Sequence, residues 1–272
     1  MDNIAKFFIV SSVRSGSTWL ETMLGSLSDV TVDFEFKWLP QSSPYTLSPV
    51  HKHVPNSNFS CGKALEALPG DTPVKGSKLT LDACIHSHEE YSDLKKTIDK
   101  EIRIIHLRRR YRDVYLSLIR GCIHLVNNTS NVSKDGGVSV ILASVIDGEC
   151  NSLKSLDRSP FVADPLYCRS VMESLAAHDQ WVSSLDDGSR HFVTVDYKQV
   201  SKQFSNLASF VGSKSSSDEI DSILSQPPTK KLPQWPFEKR IINYGELEEI
   251  FSDYEGTVVG ACRTDKSSGD NV

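Results

Sequence analysis

Short apolar runs alternate along the chain with longer segments in which apolar residues have helical spacing. Continuous or period-two apolar patterns predict strands, whereas an apolar residue at every third or fourth position predicts a helix. The predicted strands or extended segments are Phe7–Val10, Val30–Phe36, Val74–Leu81, Ile102–Leu107 and Arg190–Tyr197. The predicted helices lie at about 18–27, 86–100, 114–119, 138–146, 168–185, 200–211 and 244–251. This alternation is typical of an α/β fold with a parallel sheet.

The first strand leads into a segment suited to binding an anion. Phe7–Val10 is followed by the sequence Arg-Ser-Gly-Ser-Thr-Trp at residues 14–19. A loop that enters a helix directs unpaired backbone N–H groups and the positive end of the helix dipole at one point. Gly16 permits close approach of the backbone, and the arginine and hydroxyl side chains around it add donors. The segment is predicted to bind phosphate, although it lacks the lysine of nucleotide triphosphatases.

A second strand also delivers basic residues to the start of a helix. Ile102–Leu107 continues into Arg108, Arg109 and Arg110 and then into helical spacing. Positive charge at a helix N-terminus opposes the helix dipole and favours a bound anion. Two such strand-loop-helix units predict a three-layer, P-loop-like parallel sheet flanked by helices. Its ligand is expected beyond the carboxyl ends of the strands.

Length and charge narrow the class of protein. The 272 residues, of which 39% are hydrophobic, are enough for one large core. We expect a single domain over residues 1–263, with lid or acceptor-binding insertions at about 38–60 and 121–167 and a disordered tail at 264–272. The net charge of -5 argues against a general nucleic-acid binder. The apolar run after Lys6 is too short for a signal peptide, and no apolar run spans a membrane, so we expect a soluble, cytoplasmic protein.

Cysteines and histidines give no sign of a metal site in the sequence. The six cysteines are scattered without Cys-x-x-Cys or Cys/His ligand spacing, so neither zinc nor a disulfide framework is indicated. His106, within a predicted strand, is expected in the core or at the sheet edge. The remaining candidates are expected at the surface, and they are His86, His88, His124 and His178.

With both basic elements described, the chain resembles the sulfotransferases that use 3′-phosphoadenosine 5′-phosphosulfate (PAPS). In that family the first loop, close to Arg/Lys-Ser-Gly-Ser/Thr-Thr-Trp, holds the 5′-phosphosulfate, and residues 14–19 match it throughout. A second element supplies an Arg and, eight residues later, a Ser to the 3′-phosphate, as Arg109 and Ser117 are spaced. A Tyr after the third strand reaches the adenine region. The donor-binding residues so implied are Arg14, Ser15, Gly16, Ser17, Thr18, Trp19, Arg109, Ser117 and Tyr197.

The catalytic residues follow from the branch that the chain resembles. The cytosolic branch usually has Lys in place of Arg14 and a His base, but the corresponding segment here offers Lys78 and no His. The carbohydrate- and tyrosylprotein-modifying branches often have the Arg and a Glu base about twenty residues later, and Glu35 lies 21 residues after Arg14. The resemblance, nearer to these and to bacterial branches, implies Glu35 as base. Arg14 then stabilises the leaving phosphate and Lys78 polarises the bridging oxygen, without a metal.

Several alternatives remain open at this stage. Glu35 has a second interpretation as an outward residue of an alternating strand, and His124 is then the fallback base. Arg120 and Tyr244 are further candidate ligand contacts on position alone.

The acceptor is expected to be a small molecule, a polar secondary metabolite sulfated on a hydroxyl or amino group, with adenosine 3′,5′-bisphosphate (PAP) as the second product. The predicted acceptor segments hold aromatic and acidic residues, which are Trp38, Tyr45, Phe59, His124, Asp147, Glu149, Asp164 and Tyr167. A carbohydrate or glycolipid is the alternative acceptor. A small P-loop kinase and a non-catalytic nucleotide-binding protein are alternatives of another class. We expect no nucleic-acid partner, and a homodimer is left open.

Overall fold

Parallel strands form a five-stranded sheet at the centre of the fold. The computed structural model describes residues 4–36, 61–80, 95–96, 98–128, 160–188, 191–228 and 237–258. The strands are β1 (Ala5–Ser11), β2 (Val30–Phe36), β3 (Val74–Thr80), β4 (Arg103–Arg108) and β5 (Phe192–Asp196). They are hydrogen-bonded in the order β2-β3-β1-β4-β5, and every pairing is parallel. The predicted fold class is therefore confirmed, and all the strands end at the same edge of the sheet.

Helices follow or separate the strands throughout the described residues. They are α1 (Ser17–Leu24), α2 (Cys61–Glu66), α3 (Tyr111–Asn128), α4 (Pro165–Ser183), α5 (Val200–Val211), α6 (Ser217–Ser225) and α7 (Tyr244–Val258), with short 3-10 helices at Tyr197–Gln199 and Phe237–Arg240. The pattern did not predict α2 and α6, and α3 begins three residues before the predicted start. The predicted helix at 138–146, the first insertion and the tail lie outside the described residues.

The chain divides into two compact units. One, here called the sheet unit, comprises residues 1–109 and 173–235, and the other, the helical unit, comprises residues 110–172 and 236–272. Within the sheet unit, alternate residues of β1 point to opposite faces. Phe7 and Ile9 join a core with α1, α5 and α6, whereas Phe8 and Val10 join a second core with α2 and the end of α4. Helices thus cover both faces, which gives the predicted three layers.

The helical unit has an aromatic centre. Tyr115 of α3 is fully buried, and its ring lies 5.8 Å from Phe251 and 6.4 Å from Tyr167, measured between centroids. Burial raises the pKa of the neighbouring Cys168 thiol to about 12, so this cysteine is unreactive at neutral pH. Asn243 holds the segment before α4 by bonding both the N–H and the carbonyl of Ala163, at 3.0 and 2.9 Å.

Of the helices that the structure describes, none is both long and apolar enough to span a membrane.

Candidate functional site

The loop between β1 and α1 has an unusual backbone. Arg14 and Gly16 both adopt left-handed conformations, with φ of 59° and 94°. Arg14 is the one described residue other than glycine with a positive φ, a conformation that costs free energy and is concentrated at functional sites. Left-handed residues on either side of Ser15 can turn successive N–H groups to the same side, an arrangement that binds anions. The loop is therefore shaped as an anion cradle.

The start of α1 leaves donors for an anion. Gly16 occupies the N-cap position and has no side chain to cap the first turn, so the earliest N–H groups of the helix lack a side-chain acceptor there. The hydroxyl of Ser15 is fully buried and finds no hydrogen-bond partner among the described residues. A buried hydroxyl without a partner is costly. An oxyanion held in the cradle can accept from this group, so the loop fits a phosphate or phosphosulfate.

Arg109, at the end of β4, reaches back to this loop. Its Nη1 donates a 2.9 Å hydrogen bond to the carbonyl oxygen of Arg14. Its guanidinium lies over the ring of Tyr197, 5.0 Å from the centroid, and that ring in turn packs edge-on against Trp19 at 5.7 Å. A Cβ on Gly16 would collide with the Tyr197 ring, so only glycine fits there. The predicted phosphate loop, Arg109 and the predicted adenine contacts Trp19 and Tyr197 thus lie together in the sheet unit.

Lys78, in β3 beside β1, approaches the loop from the other side. The side chain is only 6% exposed, and its Nζ lies 3.2 Å from the Thr18 hydroxyl oxygen and 3.6 Å from Oε2 of Glu21. Glu21 is itself buried on α1. Glu21 was not among the predicted site residues, although an acidic residue on the apolar face of a helix is a signal that could have identified it. We call residues 14–19 together with Lys78, Arg109 and Tyr197 the phosphate-loop cluster.

The other predicted site residues either have side chains outside the described part of the structure or lie in the helical unit. Glu35 lies in β2, at the sheet edge where the strands end, and its side chain is outside the described part of the structure. Ser117 lies half-buried in α3 of the helical unit. Arg120 and Tyr244 also belong to that unit, and burial raises the pKa of the Tyr244 hydroxyl. The side chain of the fallback base His124 is not described. The roles of these residues stay predictions.

The prediction of a surface position for His178 is wrong. His178 of α4 is 1% exposed, and it lies beside His106, which is fully buried in β4 as a core residue. Burial lowers the pKa of His178 to about 4, so the imidazole is neutral. The next residue, Asp179, bonds His106 Nε2 and Arg108 Nε at 3.2 and 3.0 Å. Helical spacing alone did not reveal that this turn of α4 faces the sheet. We call His106, His178 and Asp179 the histidine cluster.

Three solved structures are similar to the chain at low identity. Mouse sulfotransferase SULT7A1 complexed with PAP is 15% identical, with a TM-score of 0.42, over 81% of this chain and 62% of that one. The chain therefore spans less than two thirds of the length of the mouse protein. A sulfotransferase from Alicyclobacillus acidocaldarius is 12% identical, with a TM-score of 0.45, over 90% and 95% of the two chains. Retinol dehydratase in complex with retinol and PAP is 13% identical, with a TM-score of 0.38, over 92% and 70%.

The family assignment comes from the sequence match. No curated protein matches the chain. The model of the sulfotransferase domain matches residues 5–240, a range that includes every strand described above. The same range contains the anion cradle, Arg109 and Lys78. Because this match covers most of the chain, the predicted family is confirmed, and the chain belongs to the sulfotransferase domain family.

Proposed function

We propose that this chain transfers a sulfuryl group from PAPS to a hydroxyl or amino group of a small polar acceptor, with PAP as the second product. The observation that carries the proposal is the hydrogen bond from Arg109 to the carbonyl of Arg14. It brings a cation from the end of β4 against the anion cradle at the end of β1. A donor with a 5′-phosphosulfate and a 3′-phosphate requires two such anion-binding elements side by side.

Each element of the phosphate-loop cluster has a proposed role. The cradle, with Arg14, Ser17 and Thr18, binds the 5′-phosphosulfate and stabilises charge on the phosphate as it leaves. Arg109 binds the 3′-phosphate, and Ser117 is assigned to the same phosphate from the resemblance. The rings of Trp19 and Tyr197 are assigned to the adenine; their edge-on packing supports a common apolar surface for a base.

Lys78 is proposed to act on the bridging oxygen of the donor. Its ammonium lies 3.2 Å from the Thr18 hydroxyl oxygen, at the start of the helix that receives the phosphate. As the sulfuryl group moves, the bond between sulfur and the bridging oxygen breaks, and negative charge develops on that oxygen. A fixed cation at this point stabilises the transition state more than the ground state. Glu21, 3.6 Å from Nζ, balances the buried charge of Lys78 and holds it in place.

Glu35 is the proposed base. The acceptor oxygen or nitrogen forms a bond to sulfur and loses a proton, which the Glu35 carboxylate accepts. Parallel topology supports this role because it places the end of β2 at the same sheet edge as the ends of β3 and β1. With β3 between them, the backbones of β2 and β1 are separated by about 10 Å by ordinary strand spacing. That distance leaves room for an acceptor and a sulfuryl group.

Calorimetric titration with PAP tests the donor site, with 5′-AMP and ATP as comparison ligands. We expect micromolar binding of PAP that weakens about 100-fold without the 3′-phosphate and by a similar factor in Arg109→Ala, since a charge-assisted bidentate contact contributes about 3 kcal/mol. Arg110→Ala is the matched control, because Arg110 is the exposed neighbour in the same basic run. Equal or tighter binding of ATP, indifferent to Arg109, would replace the proposal with the kinase alternative.

Turnover with labelled PAPS tests the base. Glu35→Gln is expected to lower kcat by about 10²- to 10⁴-fold with unchanged PAP affinity. Asp33→Asn, two residues earlier on the same strand, controls for loss of charge. If Glu35→Gln keeps its turnover while His124→Asn loses it, the fallback base replaces Glu35. Turnover that is absent in the wild type with every acceptor tried, despite PAP binding, favours a non-catalytic nucleotide-binding protein.

The acceptor class rests on the sequence of the two insertions. Their aromatic and acidic residues favour a small polar or cationic metabolite by cation–π and carboxylate contacts, whereas a polyanionic sugar chain needs a basic groove. A screen with labelled PAPS should compare small amines and phenols with oligosaccharides and glycolipids. Transfer only to the sugars would favour the alternative acceptor. A cytoplasmic location and a homodimer stay predictions.

A further inference from the structure

The histidine cluster brings together three metal-binding side chains that are far apart in sequence. His106 lies in the middle of β4, paired with Val10 of β1 on one side and Thr194 of β5 on the other. His178 and Asp179 are consecutive residues of α4, which packs over this face of the sheet through Trp181 and Val182. The cluster belongs to the sheet unit and shares no residue with the phosphate-loop cluster.

The three side chains present their ligand atoms to one another. One nitrogen from each histidine and one carboxylate oxygen of Asp179 all lie within 4.8 Å of one another. The His106 Nε2 to Asp179 Oδ1 distance is 3.2 Å, and the two imidazole rings meet edge to face with centroids 6.4 Å apart. Arg108 holds the other carboxylate oxygen, Oδ2, at 3.0 Å and so fixes the orientation of Asp179. This is the arrangement of a ligand set with a supporting hydrogen bond.

Hydrogen bonding does not account for the burial of these histidines. Both ring nitrogens of His178, and Nδ1 of His106, are buried without a hydrogen-bond partner among the described residues. The two side chains are 1% and 0% exposed. An unpaired buried polar atom costs about 1–3 kcal/mol. A histidine kept in a core for packing alone usually has at least one nitrogen bonded, and His178 has neither nitrogen bonded among the described residues, so its position calls for a further ligand.

We propose that His106, His178 and Asp179 bind a divalent transition metal ion, of which Zn²⁺ is the best fit. Two imidazoles and one carboxylate are a donor set that zinc accepts, and a water molecule would complete the tetrahedron. Ligand atoms around tetrahedral zinc are about 3.3 Å apart, so small side-chain rotations bring the three atoms into range. The ion replaces the His106–Asp179 hydrogen bond and links α4 to β4. The role is structural, and it does not depend on the proposed sulfuryl transfer.

Sequence spacing could not indicate this site. Zinc sites are recognised in sequences by ligands a few residues apart, whereas His106 is 72 residues before His178. Only the packing of α4 on β4 brings them together.

The test uses the full chain, stripped with EDTA and then titrated with ZnCl₂ by calorimetry, with Co²⁺ absorption as a second probe. We expect one equivalent of zinc to bind with a rise in Tm, and Co²⁺ to give the visible bands of a four-coordinate nitrogen and oxygen site. His178→Leu should lose this equivalent and the bands. His191→Ala, at an exposed histidine beside β5, is the matched control and should keep both.

Unfolding measurements with and without zinc distinguish loss of the metal site from a general loss of stability. In EDTA, His178→Leu should be at least as stable as the wild type because it removes two unpaired nitrogens; with zinc present, only the wild type and His191→Ala should gain stability. Asp179→Asn serves as a second ligand variant, and an unchanged far-ultraviolet circular dichroism spectrum shows that each variant is folded. Zinc that binds equally to His178→Leu and the wild type, or that leaves the wild-type Tm unchanged, would overturn the proposal.

Discussion

The phosphate-loop cluster and the histidine cluster both gather polar side chains around the central sheet, but their surroundings differ. In the first, Arg14 and Thr18 are exposed, so an anion can arrive from solvent. In the second, the imidazoles are buried, and Asp179 accepts hydrogen bonds from His106 and Arg108. An open cluster can exchange a large ligand during turnover. A closed cluster can hold only a small ion, and its effect is on stability.

The difference is sharpest in the two neighbouring arginines at the end of β4. Arg108 points to Asp179 in the histidine cluster, whereas Arg109 points to the carbonyl of Arg14 in the phosphate-loop cluster. Adjacent residues at a strand end point to opposite faces of the sheet. Two adjacent residues of one basic run therefore bond to different clusters, and we propose a binding role for Arg109 alone.

The largest expected loss of stability and activity follows from changes to the buried ion pair between Lys78 of the phosphate-loop cluster and Glu21. Lys78→Met leaves Glu21 charged and buried, which should cost about 3–5 kcal/mol of unfolding free energy. Lys78→Met combined with Glu21→Met should regain most of that stability, since an apolar pair can replace a buried ion pair. Turnover should stay at least about 100-fold reduced in both. Urea unfolding and assays with PAPS make the measurement; a double variant with normal kcat would remove Lys78 from the mechanism.

Gly16→Ala should be nearly as damaging. It forces alanine into φ of 94° and drives a Cβ into the Tyr197 ring, so we expect about 3 kcal/mol of destabilisation and loss of PAP binding. Gly188→Ala is the control, because Gly188 has φ of 73° but open space around its Cα. It should cost about 1 kcal/mol and leave PAP binding intact. Similar losses of PAP binding in both variants would contradict the close-approach argument.

Variants of Arg108 and Arg109 test the histidine cluster and the phosphate-loop cluster independently. Arg108→Met should lower the unfolding free energy by about 2 kcal/mol, because it breaks a charge-assisted hydrogen bond to Asp179, and should leave PAP affinity within a factor of two. Arg109→Met should do the reverse, with PAP affinity about 100-fold weaker and stability changed by less than about 1 kcal/mol. Thermal unfolding and calorimetric titration with PAP, both measured on each variant, check these two expectations. Loss of PAP binding in the Arg108 variant would show that the two clusters are coupled.

A carboxylate outside both clusters gives the smallest effect and a reference for pH. Asp29 accepts hydrogen bonds from Ser213, Ser215 and the backbone of Lys214, and these lower the pKa of Asp29 below its ordinary value of 3.8 against the opposing effect of burial. Its charge therefore stabilises the fold above pH 3.8, and this is lost as pH falls through the lowered pKa. Asp29→Asn should cost about 1 kcal/mol at pH 7.

The same variant carries its own control. Below the folded-state pKa of Asp29 the wild-type side chain is protonated too, so the difference in unfolding free energy should shrink towards zero in acid. A constant difference between pH 7 and pH 3 would mean that the loss comes from the amide group rather than from the missing charge.

Regular elements with strong patterns were predictable. Apolar runs located β1 and β4, which are central strands buried on both faces. The short helices α2 and α6 were missed, since too few turns fit a six- or nine-residue segment for helical spacing to stand out. Arg14, Gly16 and Arg109 stood out as candidates because each lies where a predicted strand leads into a predicted helix, a pattern that neighbouring residues reveal.

Contacts between side chains that are far apart in the chain could not be predicted from the sequence. The sequence by itself determined the α/β class, the anion cradle and the family, since each follows from patterns within single elements and from the order of those elements along the chain. Only the tertiary structure decided that Glu21 meets Lys78, that Arg109 bonds Arg14, and that His178 lies in the core. The physical reason is that helix orientation follows from the whole sheet packing its faces, and that packing joins residues that no local pattern connects.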